Sequence, residues 1–124
     1  MTSTFIVAVV DDDPRILRSL GDLLESADYG VRLLASAAAL LDTSLPEIDC
    51  LISDIDMPGI DGFELLRRVE ETSPGLPTIL ITGYPDRLKR LPAESRGQNR
   101  FFTKPFQGSV LLAAVGEAIS SYRK

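Results

Sequence analysis

The 124-residue sequence predicts an α/β domain, a doubly wound five-stranded parallel sheet with helices on both faces. Two observations predict it. Five short apolar runs recur along the chain without the alternation of a half-exposed strand, as expected of strands buried on both faces. Between them lie segments whose apolar residues recur at helical spacing.

The first run is FIVAVV, Phe5 to Val10. It ends in Asp11, Asp12, Asp13 and Pro14, and proline suits a first helical turn. The helix that follows carries Ile16, Leu17, Leu20, Leu23 and Leu24 on one face. Gly30 marks a break before a second strand, Val31 to Ala35, and Ser36 can cap a short helix through Leu41. Strand three is Ile48 to Ser53, and after MPGIDG a helix covers Phe63 to Val69. Strand four is Thr78 to Thr82 and strand five is Arg100 to Thr103. A last helix, Ser109 to Tyr122, turns Leu111, Val115, Ala118, Ile119 and Tyr122 inward. The fourth helix is the weak element. Its segment RLKRLPAESRGQNR contains Pro92, which removes a hydrogen bond and clashes with the preceding turn, so this helix is expected to be short or irregular.

Composition narrows the function. The apolar fraction of 44% and charged fraction of 25% suit one soluble globular domain over residues 1–124. A net charge of −5 argues against the domain coating nucleic acid. The single cysteine, Cys50, permits no internal disulfide and reads as a core residue. The absence of histidine removes His-based zinc sites, Ser-His triads and histidine phosphotransfer from within the chain. No signal peptide and no membrane-length apolar run is visible, so a cytoplasmic location is expected.

In an open parallel sheet, ligands bind outside the carboxyl ends of the strands. Strand one delivers Asp11, Asp12 and Asp13 there, strand three Asp54 and then Asp56, strand four Thr82, and strand five Lys104. Clustered carboxylates must hold protons or a cation, and an all-oxygen cluster suits Mg²⁺ or Mn²⁺. A hydroxyl and an ammonium opposite them suit phosphate oxygens. An aspartate between metal and lysine is a reasonable nucleophile for phosphoryl transfer, forming an acyl phosphate. Gly59 lets the loop bend away and keeps that face open. Asp13 and Asp61 are better read as caps of the helices that follow them.

VVDDDP, LISDIDMPGIDG, ILITG and FFTKPF, with 42, 28 and 22 residues from Asp12 to Asp54 to Thr82 to Lys104, together resemble the receiver domain of two-component response regulators. The likeness runs end to end and is strongest to FixJ-type receivers. It implies a CheY-like (βα)5 fold with strand order 2-1-3-4-5. It implies that Asp54 accepts a phosphoryl group from a sensor histidine kinase or phosphotransfer protein. Asp11 and Asp12 would hold Mg²⁺ with Asp54 and the backbone carbonyl of Asp56. Thr82 and Lys104 would bind the phosphoryl group, and Phe101 would act as the aromatic switch. The bond before Pro105 would be cis. Asp56 and Tyr84 occupy positions that tune phosphoryl lifetime in the family. The family signals through the face of helix four, strand five and helix five, often by dimerising, and FixJ-type receivers usually precede a DNA-binding output domain.

The departure is in helix four, where an Ala-rich helix is usual. Here Arg87, Lys89, Arg90, Arg96 and Arg100 supply five of the thirteen basic residues. The ordinary reading is a solvated loop. The alternative is a remodelled switch face that meets a different, acidic partner. Three other functions fit the sequence less well. A haloacid-dehalogenase-like phosphatase shares Asp-x-Asp but places it on the first strand and needs a cap domain. A nucleotide- or flavin-binding module needs a Gly-rich loop after strand one, where this chain has DDDP. A docking receiver that is never phosphorylated would not need so complete a set of site residues.

Overall fold

The computed structural model describes residues 4–84, 86 and 100–122. Five parallel strands form one sheet: β1 (Ile6–Val10), β2 (Gly30–Leu34), β3 (Cys50–Asp54), β4 (Thr78–Thr82) and β5 (Arg100–Thr103). Their order is β2-β1-β3-β4-β5, as expected. The helices are α1 (Pro14–Ser26), α2 (Ala37–Leu41), α3 (Gly62–Thr72) and α4 (Gly108–Tyr122). Because the chain leaves β1 in one direction across the sheet and β3 in the other, a crevice opens between their carboxyl ends.

Side chains alternate across each strand, and that period divides the core in two. Val7, Val9, Cys50, Ile52, Ile79 and Ile81 face one way and pack with Leu17, Leu20 and Leu24 of α1 and Leu111, Val115, Ala118 and Ile119 of α4. Ala8, Val10 and Leu51 face the other way and pack with Leu40 of α2 and Leu65 and Val69 of α3. Each fully buried Leu or Ile contributes about 1.5–3 kcal/mol relative to exposure. A third, smaller group joins Ile55, Leu66 and Leu80 to the partly buried Phe63 and Phe101.

The caps follow the sequence. Asp13 accepts from the Arg15 amide at the start of α1, Ser36 from Ala39 at α2, and Asp61 from Glu64 at α3. Pro14 occupies the first turn of α1.

Several boundaries differ from expectation. The turn before β2 is made at Asp28, which takes φ +69, and Gly30 already belongs to the strand, opposite Ile6. As an edge strand β2 is covered less than its neighbours, and Leu33 stays 45% exposed. A 3₁₀ turn at Leu45–Glu47 precedes β3, which therefore begins at Cys50 rather than Ile48. Helix α3 runs past Val69 to Thr72, and Glu64 pairs with Arg67 and Arg68 while Arg67 also reaches Glu71 along its exposed face. Tyr122, expected inward, is 37% exposed, because it stands in the last turn of α4 with its ring beside the Gly75 turn. The expected fourth helix, with Pro92 and the basic residues Arg87, Lys89, Arg90 and Arg96, lies outside the described residues. Among the described residues no helix is long and apolar enough to cross a membrane.

Candidate functional site

Beyond the end of β1, the Asp11 amide donates to the Leu34 carbonyl oxygen at 3.1 Å, which continues the sheet frame by one residue. The Asp11 carboxylate is then aimed by its own turn, accepting from the Asp13 amide at 2.9 Å. Asp54 is the last residue of β3 and stands in register with Ile81. The Asp56 amide donates to Asp54 Oδ1 at 3.3 Å. One carboxylate oxygen from each of Asp11, Asp12 and Asp54 lies within 4.8 Å of the others. Asp11 and Asp54 are buried and Asp12 is exposed.

Lys104 reaches the same point from the end of β5. Its Nζ is 3.8 Å from Asp11 Oδ2 and 3.8 Å from Asp54 Oδ2. Its amide donates to the Thr82 carbonyl oxygen at 2.8 Å, which ties the two strand ends together. The Lys104–Pro105 peptide is cis. Thr82 is fully buried at the end of β4. Its hydroxyl donates to Asp56 Oδ2 at 2.7 Å and accepts from the Tyr84 amide at 2.9 Å.

The electrostatics follow from this crowding. Burial pushes the Asp54 carboxyl up to about 6, the neighbouring Asp11 charge adds to the rise, and Lys104 offsets part of it. Burial likewise raises Asp11. Among the described residues, the Lys104 ammonium alone does not neutralise the carboxylates of Asp11, Asp12 and Asp54, which favours a cation there. The donors are all oxygen and few, which fits a Mg²⁺- or Mn²⁺-type ion that keeps several waters.

Comparison with known proteins bears on what such a pocket belongs to. Residues 7–116 match the model of the response regulator receiver domain. The chain belongs to the response regulator receiver family. The transcriptional regulatory protein FixJ of Bradyrhizobium diazoefficiens is 39% identical over 121 residues, which covers 96% of this chain and 58% of that protein. The C4-dicarboxylate transport transcriptional regulatory protein DctD of Pseudomonas aeruginosa is 40% identical over 121 residues, covering 94% of this chain and 26% of DctD. The receiver thus spans little more than half of FixJ and about a quarter of DctD. Among solved structures, the receiver domain of nitrogen regulatory protein C is similar at a TM-score of 0.84 with 34% identity, over 97% of this chain and 98% of that one. A receiver domain protein from Clostridium thermocellum is similar at a TM-score of 0.87 with 26% identity, over 96% and 97%. These matches favour a phosphorylation-dependent switch over the phosphatase and docking-module readings.

The receiver fold brings Asp11, Asp12, Asp54, Thr82 and Lys104 to one sheet edge. Phe101 stands apart from this pocket, on β5 opposite Leu80 and packed against the Ile55, Leu66 and Leu80 group. The Tyr84 side chain is exposed and touches the site through its backbone alone among the bonds described. Two supporting residues escaped sequence reasoning. A Cβ on Gly62 would lie 2.7 Å from the Asp54 carbonyl oxygen and 2.7 Å from the Ile55 α-carbon, so α3 can press against the end of β3 only through a glycine. Asp49, buried before β3, accepts from the Ile6 amide at 2.8 Å and pins the start of β1. A glycine immediately after the Asp61 cap was the one sequence signal for the first. The second had none.

Proposed function

We propose that Asp54 is the phosphoacceptor of this receiver and that its modification is the switch. The observation that supports this best is the placement of Asp54: buried at a strand end, beside Asp11 and Asp12, with Lys104 at 3.8 Å. An Asp54 carboxylate oxygen attacks the phosphorus of a phosphohistidine or a small phosphodonor. A new O–P bond forms as the bond to the imidazole nitrogen or carboxylate oxygen breaks, and the electron pair leaves with that group. Lys104 holds one phosphoryl oxygen and steadies the charge that develops on it. Asp11, Asp12, Asp54 and the Asp56 backbone carbonyl would hold Mg²⁺, which would supply further charge neutralisation. Thr82 turns its hydroxyl to the phosphoryl group, and Phe101 follows toward the space behind it.

On this reading the domain is a regulatory element that catalyses only its own phosphorylation and dephosphorylation. The receiver unit spans residues 1–124, works in the cytoplasm, and takes its phosphoryl group from a sensor histidine kinase or phosphotransfer protein. The likeness to FixJ and DctD supports a fused or separate DNA-binding output, controlled through the β5–α4 face and by dimerisation there. Asp56 and Tyr84 flank the path of attacking water and tune the lifetime of the acyl phosphate.

Amide NMR spectra with Mg²⁺ and acetyl phosphate test the switch. Shifts should spread from Asp54 to Thr82 and Phe101 and vanish in Asp54→Asn. Changes confined to the metal-holding aspartates would contradict it.

A further inference from the structure

We propose that Asp56 latches the resting state, its carboxylate competing with the phosphoryl group on Asp54 for the hydroxyl of Thr82. The proposal rests on Asp54 as phosphoacceptor and adds a residue that sets how readily the switch is thrown. It differs from a part in guarding the acyl phosphate from water, because it acts before any phosphoryl group is present.

The geometry makes the competition strict. A threonine hydroxyl has one proton to donate. Here that proton goes to Asp56 Oδ2 at 2.7 Å, a full-strength O–H···O distance. The Tyr84 carbonyl oxygen, at 3.4 Å, is the weaker alternative. One of the two lone pairs of the same hydroxyl accepts from the Tyr84 amide at 2.9 Å, so the single proton is what the acceptors compete for. The hydroxyl therefore cannot serve Asp56 and a phosphoryl oxygen together.

The backbone leaves little other freedom. Thr82 is in register with Thr103, and its carbonyl oxygen accepts from the Lys104 amide. One residue earlier, the Ile81 carbonyl oxygen accepts from the Ile55 amide at 2.9 Å. With both flanks held by neighbouring strands, Thr82 reaches Asp54 by rotating its side chain. That rotation breaks the bond to Asp56. The acceptor and the latch are also joined directly, since the Asp56 amide donates to Asp54 Oδ1. A phosphoryl group on Asp54 thus arrives beside the residue whose grip on Thr82 it must replace.

Two variants separate the hydrogen bond from simple charge. Asp56→Ala removes both the acceptor and the negative charge. Asp56→Asn removes the charge and keeps a carbonyl acceptor for Thr82. The probe is beryllofluoride, a non-covalent tetrahedral stand-in for the phosphoryl group, titrated into the Mg²⁺-loaded domain and followed by NMR. Asp56→Ala should bind it about tenfold more tightly than the wild type, with Asp56→Asn between the two. In a Thr82→Ala background, Ala and Asn at position 56 should become equal. Without metal or probe, the Thr82 methyl signal should move in Asp56→Ala and stay near its wild-type position in Asp56→Asn.

Equal affinities of Asp56→Ala and wild type would overturn the latch. So would equal affinities of Ala and Asn in the presence of Thr82, since charge alone would then explain the gain. If Asp56→Ala fails to fold, the Thr82→Ala background still decides, because the advantage of Asp56→Asn over wild type must shrink there. A wild-type domain that binds Mg²⁺ but never beryllofluoride would remove the phosphoacceptor reading, and the latch with it.

Discussion

Gly62 lies so close to the end of β3 that a Cβ there would stand 2.7 Å from the Asp54 carbonyl oxygen. This contact sets where α3 begins and how the loop over the acidic pocket closes. The atoms in the way are backbone, so no side-chain rotation relieves the clash. Gly62→Ala should destabilise the domain by about 1–3 kcal/mol, despite the better intrinsic helix propensity of alanine. Denaturant unfolding measures this. Mg²⁺ affinity should fall with it, because the displaced backbone carries Asp54.

The pocket carries a pH signature in the metal-free protein. Burial and Asp11 raise the Asp54 carboxyl from 3.8 to about 6. Between those two values the folded protein binds more protons than the unfolded chain, so stability falls as pH rises through the window. The full shift corresponds to at most about 3 kcal/mol at neutral pH. Asp54→Asn should therefore raise the metal-free melting temperature near pH 7 and leave it nearly unchanged near pH 4. Saturating Mg²⁺ should shrink that advantage, because the ion stabilises only the chain that keeps its carboxylate. Thermal melts of both proteins at the two pH values, with and without metal, check the sign.

Asp49 offers a contrast at the opposite end of the sheet. It accepts from the Ile6 amide at 2.8 Å, while the Asp49 amide donates to the Ile6 carbonyl oxygen at 2.8 Å. Asp49→Ala leaves a partly buried amide without this acceptor and should cost about 1–3 kcal/mol. Asp49→Asn keeps an oxygen there and should cost less. Neither should change Mg²⁺ affinity by more than about twofold, since Asp49 precedes β3 and the metal-holding residues lie at the other end of the strands. Calorimetric Mg²⁺ titration beside denaturant unfolding separates the two effects.

The parts of this fold that sequence exposes are those governed by local pattern. Thr78–Thr82 has four β-branched residues around Leu80, bounded by Pro77 and Gly83, and the strand occupies those residues. Asp13, Ser36 and Asp61 cap helices because their oxygens reach amides within three positions. The acidic cluster was legible because strand ends share one edge and carboxylates there have few structural reasons to gather. Gly62 and Asp49 were not, since each acts on a segment brought near by the completed sheet. The Asp56–Thr82 bond joins residues 26 positions apart, and no pattern in either stretch signals it. The end of β2 and the exposure of Tyr122 differ from expectation because periodicity shows a face without showing what covers it.

The most direct test of the central claim is the intact mass of the domain after incubation with Mg²⁺ and acetyl phosphate, beside Asp54→Asn. The account predicts a gain of one phosphoryl group that requires the metal and is absent from the variant. A gain that persists in Asp54→Asn, or none with any small phosphodonor while Mg²⁺ binds, would contradict it.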